Sequence, residues 1–222
     1  MKNALVTTCL FIIALFGFKN TSFAQKAQKV CSCIEVGGRT CSGTIKCSKG
    51  CSAICGRKNI CYLACSQELV GRNLDLEFFQ QTSKEIAATL ATQTQVPINF
   101  KPYSRRANEL YDYKLINSGI WKLLEFLDER GTLSVNGLPF EELRKLKKKL
   151  KEGGRIARVR FNNTSVQEAV LHLEIMTGEY LRIVSGDSAK RISINIRLGS
   201  LPYILETIRR KSGVRVAIAP TG

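Results

Sequence analysis

One histidine, His172, serves a chain of 222 residues. It lies between Leu171 and Leu173 in a helical stretch, with no nucleophile or metal motif beside it. That placement reads as a satisfied or surface histidine, not a catalytic one. No G-x-S-x-G elbow, H-E-x-x-H pair or Walker-type loop occurs. The adjacent acids Asp128-Glu129 and Glu141-Glu142 read as solvated charges at helix ends. The expectation is a binding module that is not an enzyme and needs no cofactor or metal. No cysteine follows Cys65, and acids are scarce, 18 against 34 lysines and arginines. Stacking aromatics of a sheet-type RNA reader and a KH-type G-x-x-G loop are both missing, so nucleic acid ranks last among acidic partners. After residue 24 no apolar run is long enough to span a bilayer, which takes about 20 residues.

The N-terminus carries an address. Met1-Lys2-Asn3 is a basic start, Ala4 to Phe18 an apolar run, and Lys19 to Ala24 a polar exit closing on a small-x-small site. This is the layout of a secretory signal over residues 1–24, cleaved after Ala24. A retained anchor is the other reading, against which the short run argues. The protein is expected to be exported to the periplasm or outer-membrane surface and to be soluble after cleavage. Loss of Lys2 and Lys19 leaves 32 basic residues against 18 acids, a net of +14. Such a surplus favours anionic lipid, cell-wall polymer or an acidic protein face.

Eight cysteines crowd into one segment: Cys31, Cys33, Cys41, Cys47, Cys51, Cys55, Cys61 and Cys65. An even count in a short stretch of an exported chain reads as a disulfide framework. Segment 25–70 has too few aliphatic residues to fold without such staples. Cys41-x5-Cys47-x3-Cys51 recurs as Cys55-x5-Cys61-x3-Cys65, shifted by 14 residues, which suggests two copies of one small unit. The pairing stays open. Metal is the rival reading, but neither zinc knuckles nor an iron–sulfur run is present.

Residues 73–222 hold a larger duplication, offset by 82 to 83 residues. Thr82-Ser83 and Thr164-Ser165 each open a helix with an acid soon after, a capping signal. Ile86, Ala87 and Leu90 then mirror Ala169, Val170 and Leu173 at helical spacing. Gly178 stops the second helix, and Gln95 stands in that place in the first. Tyr111, Tyr113 and Leu115 alternate as a half-buried strand does, as do Ile192, Ile194, Ile196 and Leu198. Ser118 and Ser200 are expected to cap the next helices, whose apolar faces hold Trp121, Leu123, Leu124 and Phe126, and Tyr203, Leu205 and Ile208. Gly131 and Gly213 are expected to end them.

The fold expected is α+β. Two tandem β-α-β-β-α-β domains, 73–137 and 155–222, each place two helices on one face of a small sheet and bury their own apolar interior. A basic linker helix in 138–154 joins them, behind the disulfide-rich segment.

The body resembles the short N-terminal (STN or secretin-N) domains of secretins and TonB-dependent transducers. The likeness covers about 145 residues and is carried by Phe161 to Val170, Thr177-Gly178-Glu179-Tyr180-Leu181, Arg191 to Ile196 and Leu205 to Gly213. These are packing signatures. The resemblance implies periplasmic protein–protein docking in secretion or TonB-linked assembly or signalling, with a secretin, TonB-dependent receptor or similar envelope protein as partner. A cysteine-rich head is not part of that pattern, and no barrel follows the body, so a free-standing adaptor is expected.

Segment 141–160 is the densest positive stretch, nine basic residues against three acids. Lys145, Lys147, Lys148, Lys149 and Lys151 read either as a solvated linker helix or as an anion-binding face extended by Arg155, Arg158 and Arg160. Arg158 and Arg160 would share one side of a strand. The alternative function is therefore a cell-surface or cell-wall binder for glycan or anionic lipid.

Overall fold

The computed structural model describes residues 29–32, 44–56, 60–66, 76–116 and 118–220. The expected signal at 1–24, Cys33 and Cys41 lie outside these residues. The described chain is α+β, with five α-helices and several small sheets. The cysteine-rich segment supplies β1 (Lys29–Ser32), β2 (Thr44–Cys47), β3 (Cys51–Cys55) and β4 (Cys61–Cys65). Next come β5 (Leu76–Thr82), α1 (Ser83–Thr94), β6 (Ile98–Pro102), β7 (Leu110–Leu115), α2 (Ile120–Asp128) and β8 (Gly131–Val135). A short β9 (Leu138–Pro139) leads into α3 (Phe140–Lys151). The chain continues with β10 (Ile156–Ser165), α4 (Val166–Thr177), β11 (Leu181–Ser185), β12 (Arg191–Gly199), α5 (Leu201–Ser212) and β13 (Arg215–Ile218). The order β-α-β-β-α-β thus occurs twice.

The two leading helices start alike. The Glu85 N–H donates to the Thr82 side chain while the Glu85 carboxylate accepts from the Thr82 N–H, and Glu168 and Ser165 repeat the exchange. Each exchange satisfies two helix-end donors. α1 and α4 also end alike, on left-handed residues Gln95 (φ 55°) and Gly178 (φ 69°). The second helices match the expected caps only in part. Gly119 caps α2, and the Ser118 hydroxyl turns away to donate to the Ile116 carbonyl at 3.1 Å. Ser200 holds the cap position of α5 without a side-chain bond. Gly131 opens β8 instead of stopping α2. A Cβ there would lie 2.3 Å from the Lys101 carbonyl oxygen on the paired strand. Leu198 and Tyr203, expected on apolar faces, are exposed.

The strands of each half split into two antiparallel ribbons instead of forming one sheet. β5 pairs with β7 and β6 with β8; β10 pairs with β12 and β11 with β13. Each helix of a half touches both of its ribbons. In the second half α4 buries Val166, Ala169, Val170, Leu171, Leu173, Ile175 and Met176, and β3, α2 and α3 cover it beside its own two ribbons. A helix apolar on all sides needs cover on all sides. Both opening strands also share a bulge, at Gln80 (φ 47°) and Asn163 (φ 51°). There the Gln80 N–H donates to Asp112 Oδ1 and the Asn163 N–H to Ser193 Oγ.

The cysteine-rich strands dock on the body. β3 pairs with β4 and with β10, giving a sheet ordered β12-β10-β3-β4. Its turn comes within contact of β10 only because residue 50 is glycine: a Cβ would stand 2.3 Å from the carbonyl oxygens of both Asn162 and Asn163. The 14-residue cysteine repeat has no structural counterpart among the described residues. Cys61 to Cys65 is one strand, whereas Cys47 to Cys51 spans the turn between β2 and β3. The apolar interior runs without a break from Ile54 and Tyr62 through both halves, so the halves do not bury separate cores. Trp121 on α2 and Ile175 on α4 join them by an indole N–H to carbonyl bond of 3.0 Å.

Candidate functional site

Strand alternation sorts the cysteines. Positions separated by four residues on a strand point to one face. Cys51 and Cys55 therefore stand opposite Cys65 and Cys61, while Ser52, Ile54, Tyr62 and Ala64 turn to the main core. On the cysteine face, covered by β1 and β2, a second small core gathers Cys31, Cys47, Cys51, Ala53 and Cys55. Cys47 and Cys65 form a disulfide across 18 residues. Cys55 and Cys61 are each disulfide-bonded, but not to one another, since their sulfurs are 3.2 Å apart. Cys31 and Cys51 are buried thiols in contact. Among the described residues no cluster of three or more His, Cys, Asp or Glu side chains is arranged to hold a metal ion.

The basic stretch does not form one stripe. Lys145 is paired with Glu141 and Glu142, and Lys147 bonds Glu125 while its ammonium lies 4.2 Å from the centre of the Trp121 ring. Lys148, Lys149, Lys151 and Arg155 are exposed. Arg158 and Arg160 do share a side, opposite Cys55 and Ala53. That side of the sheet faces away from α4, and α3 packs on α4. The lysines of α3 and the arginines of β10 thus stand on opposite sides of the sheet.

His172 is neither exposed nor satisfied. It is 4% exposed, its ring lies 4.9 Å from that of Tyr62, and its Nδ1 has no hydrogen-bond partner among the described residues. The Tyr62 hydroxyl is buried and equally unpartnered. Both line a cavity of about 200 Å³ with Ile45, Thr94, Asn136 and Glu168, where the docked hairpin meets both halves. Burial pushes the His172 pKa down to about 3 and, helped by the Glu168 charge, pushes that of Tyr62 up. Both groups are therefore neutral near pH 7, and the Glu168 carboxylate is engaged in capping α4. Acid–base catalysis wants a group that titrates near the working pH. This arrangement offers hydrogen bonds, not proton transfer.

A larger groove of about 500 Å³ runs between α1 and β6. Four consecutive residues of β6, Ile98 to Lys101, line it, as happens where a strand presents its edge. β6 is the outer strand of the ribbon β6-β8-β9. Pro97 accepts from the Asn136 N–H and Tyr103 donates to the Arg130 carbonyl, both across the ribbon. Antiparallel alternation then directs the Ile98 and Phe100 backbone groups to the outer edge of the ribbon, while Thr132 and Ser134 of β8 line the groove as well. Lys84 and Lys101 supply its charges, and no acid among the described residues lines it.

No family model, curated protein or solved structure matches this chain. Its function must be read from its own surfaces.

The groove and the cavity escaped sequence reasoning, though a signal for part of the cavity was present. Asn136-Gly137 is a two-residue hairpin dipeptide. It turns β8 into β9 with both residues at positive φ, and the Asn136 amide donates to the Leu63 carbonyl of the docked hairpin.

Proposed function

We propose that this protein is an envelope protein-binding adaptor with two STN/secretin-N-like domains, and that its partner docks an acidic, extended segment along the edge of β6. The observation that carries this reading is the α1–β6 groove, where outward backbone groups flank Lys84 and Lys101. An added strand gains affinity from main-chain bonds, and its side chains supply specificity. Basic side chains with no acid among them select glutamate and aspartate. The doubled β-α-β-β-α-β order and the shared bulges support the domain reading. Export and action in secretion or TonB-linked assembly rest on the signal-like N-terminus and on the resemblance. No described helix is long and apolar enough to cross a membrane.

A peptide of alternating valine and glutamate, labelled for fluorescence anisotropy, tests the docking. It should bind, and Lys84→Glu/Lys101→Glu should weaken it at least tenfold. The same peptide N-methylated on alternate amides should not bind. Equal binding of a valine–lysine peptide, or indifference to both changes, refutes the proposal.

One observation favours a second reading. Arg158 and Arg160 on β10 share a sheet face with Arg197 on β12, directly opposite Arg158. A face of this kind suits anionic lipid or cell-wall polymer. Binding to vesicles containing phosphatidylglycerol should then fall steeply between 50 and 300 mM salt, on the order of the screening expected for exposed charges. Vesicle binding unchanged by salt would exclude it.

A further inference from the structure

We propose that Cys31 and Cys51 are a substrate pair for a thiol–disulfide oxidant and become joined to each other in the mature fold. β1 lies across β3, and both sulfurs sit in the small core with no exposed surface. Cys31 Sγ is hydrogen-bonded to Cys51 and stands 4.0 Å from the Arg160 carbonyl oxygen. The neighbours on the same face, Cys47, Cys55, Cys61 and Cys65, are already oxidised. Two thiols held in contact within a cluster of cystines have a short path to one more bond.

The chemistry is thiol–disulfide exchange. The thiolate of one cysteine attacks a sulfur of the oxidant's disulfide, and the other oxidant sulfur leaves as a thiolate. The second cysteine, as its thiolate, then attacks the protein sulfur of that mixed disulfide. The Cys31–Cys51 bond forms and the oxidant departs with both sulfurs reduced. The protein gives up two electrons and two protons.

Timing follows from burial. The hydrogen bond to Cys51 and the desolvation of the site push the Cys31 thiol well above its ordinary range. Thiolate is the reactive form, so the closed ribbon is inert. Exchange therefore requires β1 to lift from β3, which admits a glutathione-sized disulfide, and the return of β1 brings the second thiol back to the mixed disulfide.

The full-length chain, reduced and unfolded, is refolded in a mixture of reduced and oxidised glutathione, then alkylated in denaturant without reductant. Fragmentation mass spectrometry of the digest should show Cys31 joined to Cys51, with neither alkylated. Cys31→Ala should produce one new alkylated site, at Cys51. Alkylation of both cysteines in the wild-type chain beside an intact Cys47–Cys65 bond overturns the proposal. So does either one bonded to a different cysteine. If Cys31→Ala does not refold, the wild-type map alone decides.

Discussion

Two buried groups on α4 oppose each other in their response to pH. His172 has its pKa pushed down by burial to about 3, and Glu174, whose carboxylate accepts the Leu181 N–H at 2.7 Å, has its pKa pushed up by burial to about 8. A depressed histidine contributes stability that is present above its unfolded value near 6.5 and lost as pH falls toward 3. A raised carboxyl contributes stability that is present below about 4.5 and lost as pH rises through 8. A tenfold difference in proton affinity between folded and unfolded chain is worth about 1.4 kcal/mol. Urea unfolding of His172→Phe and Glu174→Gln against the wild type should separate them. His172→Phe should gain on the wild type from pH 6.5 down to 4, and Glu174→Gln from pH 5 up to 9. Parallel curves for either variant would show that its group is not desolvated as the fold implies.

The docked hairpin is held to β10 by close backbone contacts. Thr164 donates to the Cys51 carbonyl at 2.9 Å, the Asn163 amide donates to the Lys49 carbonyl at 2.7 Å, and Gly50 lies against β10. A methyl group at 50 has backbone oxygens on its far side, which have no rotamer to yield. Gly50→Ala should therefore cost about 1–3 kcal/mol, as overpacking does. It should also raise hydrogen exchange along β3 and β4 more than in α1. Exchange unaltered in β3 and β4 would mean that the hairpin does not depend on this contact. The Asn163 bulge is part of the same junction, because it brings the Asn162 and Asn163 carbonyls to the turn. Its counterpart at Gln80 has no such neighbour described.

The molecule should unfold as a unit. Its apolar interior is continuous, and Trp121, the sole tryptophan, is buried at the junction of the halves against Phe140 and below Lys147. Linked cores lose their contacts together, which gives coincident transitions by different probes. Tryptophan fluorescence and far-ultraviolet circular dichroism should share one urea midpoint. Two midpoints would establish halves that fold separately.

Much of this architecture was legible in the chain, because capping pairs, helical spacing and strand alternation are local. Thr82 with Glu85, Ser165 with Glu168, the left-handed stop at Gly178 and the buried alternation of Ile192, Ile194 and Ile196 all follow from neighbours within a few residues. Where contacts come from far along the sequence, the local signal fails. Gly131 looked like a helix stop, but it is required by the Lys101 carbonyl of a paired strand. His172 looked ordinary until Tyr62 covered it from more than 100 residues away. The recurring cysteine spacing looks like a repeat on paper, but a turn at Gly50 places one x3 interval across two strands and leaves the other within one. Sequence by itself determined which elements form, since hydrogen bonds between near neighbours decide that. Only tertiary packing decided which faces meet, which charges stay in water and which sulfurs touch, because those depend on where distant strands come to rest.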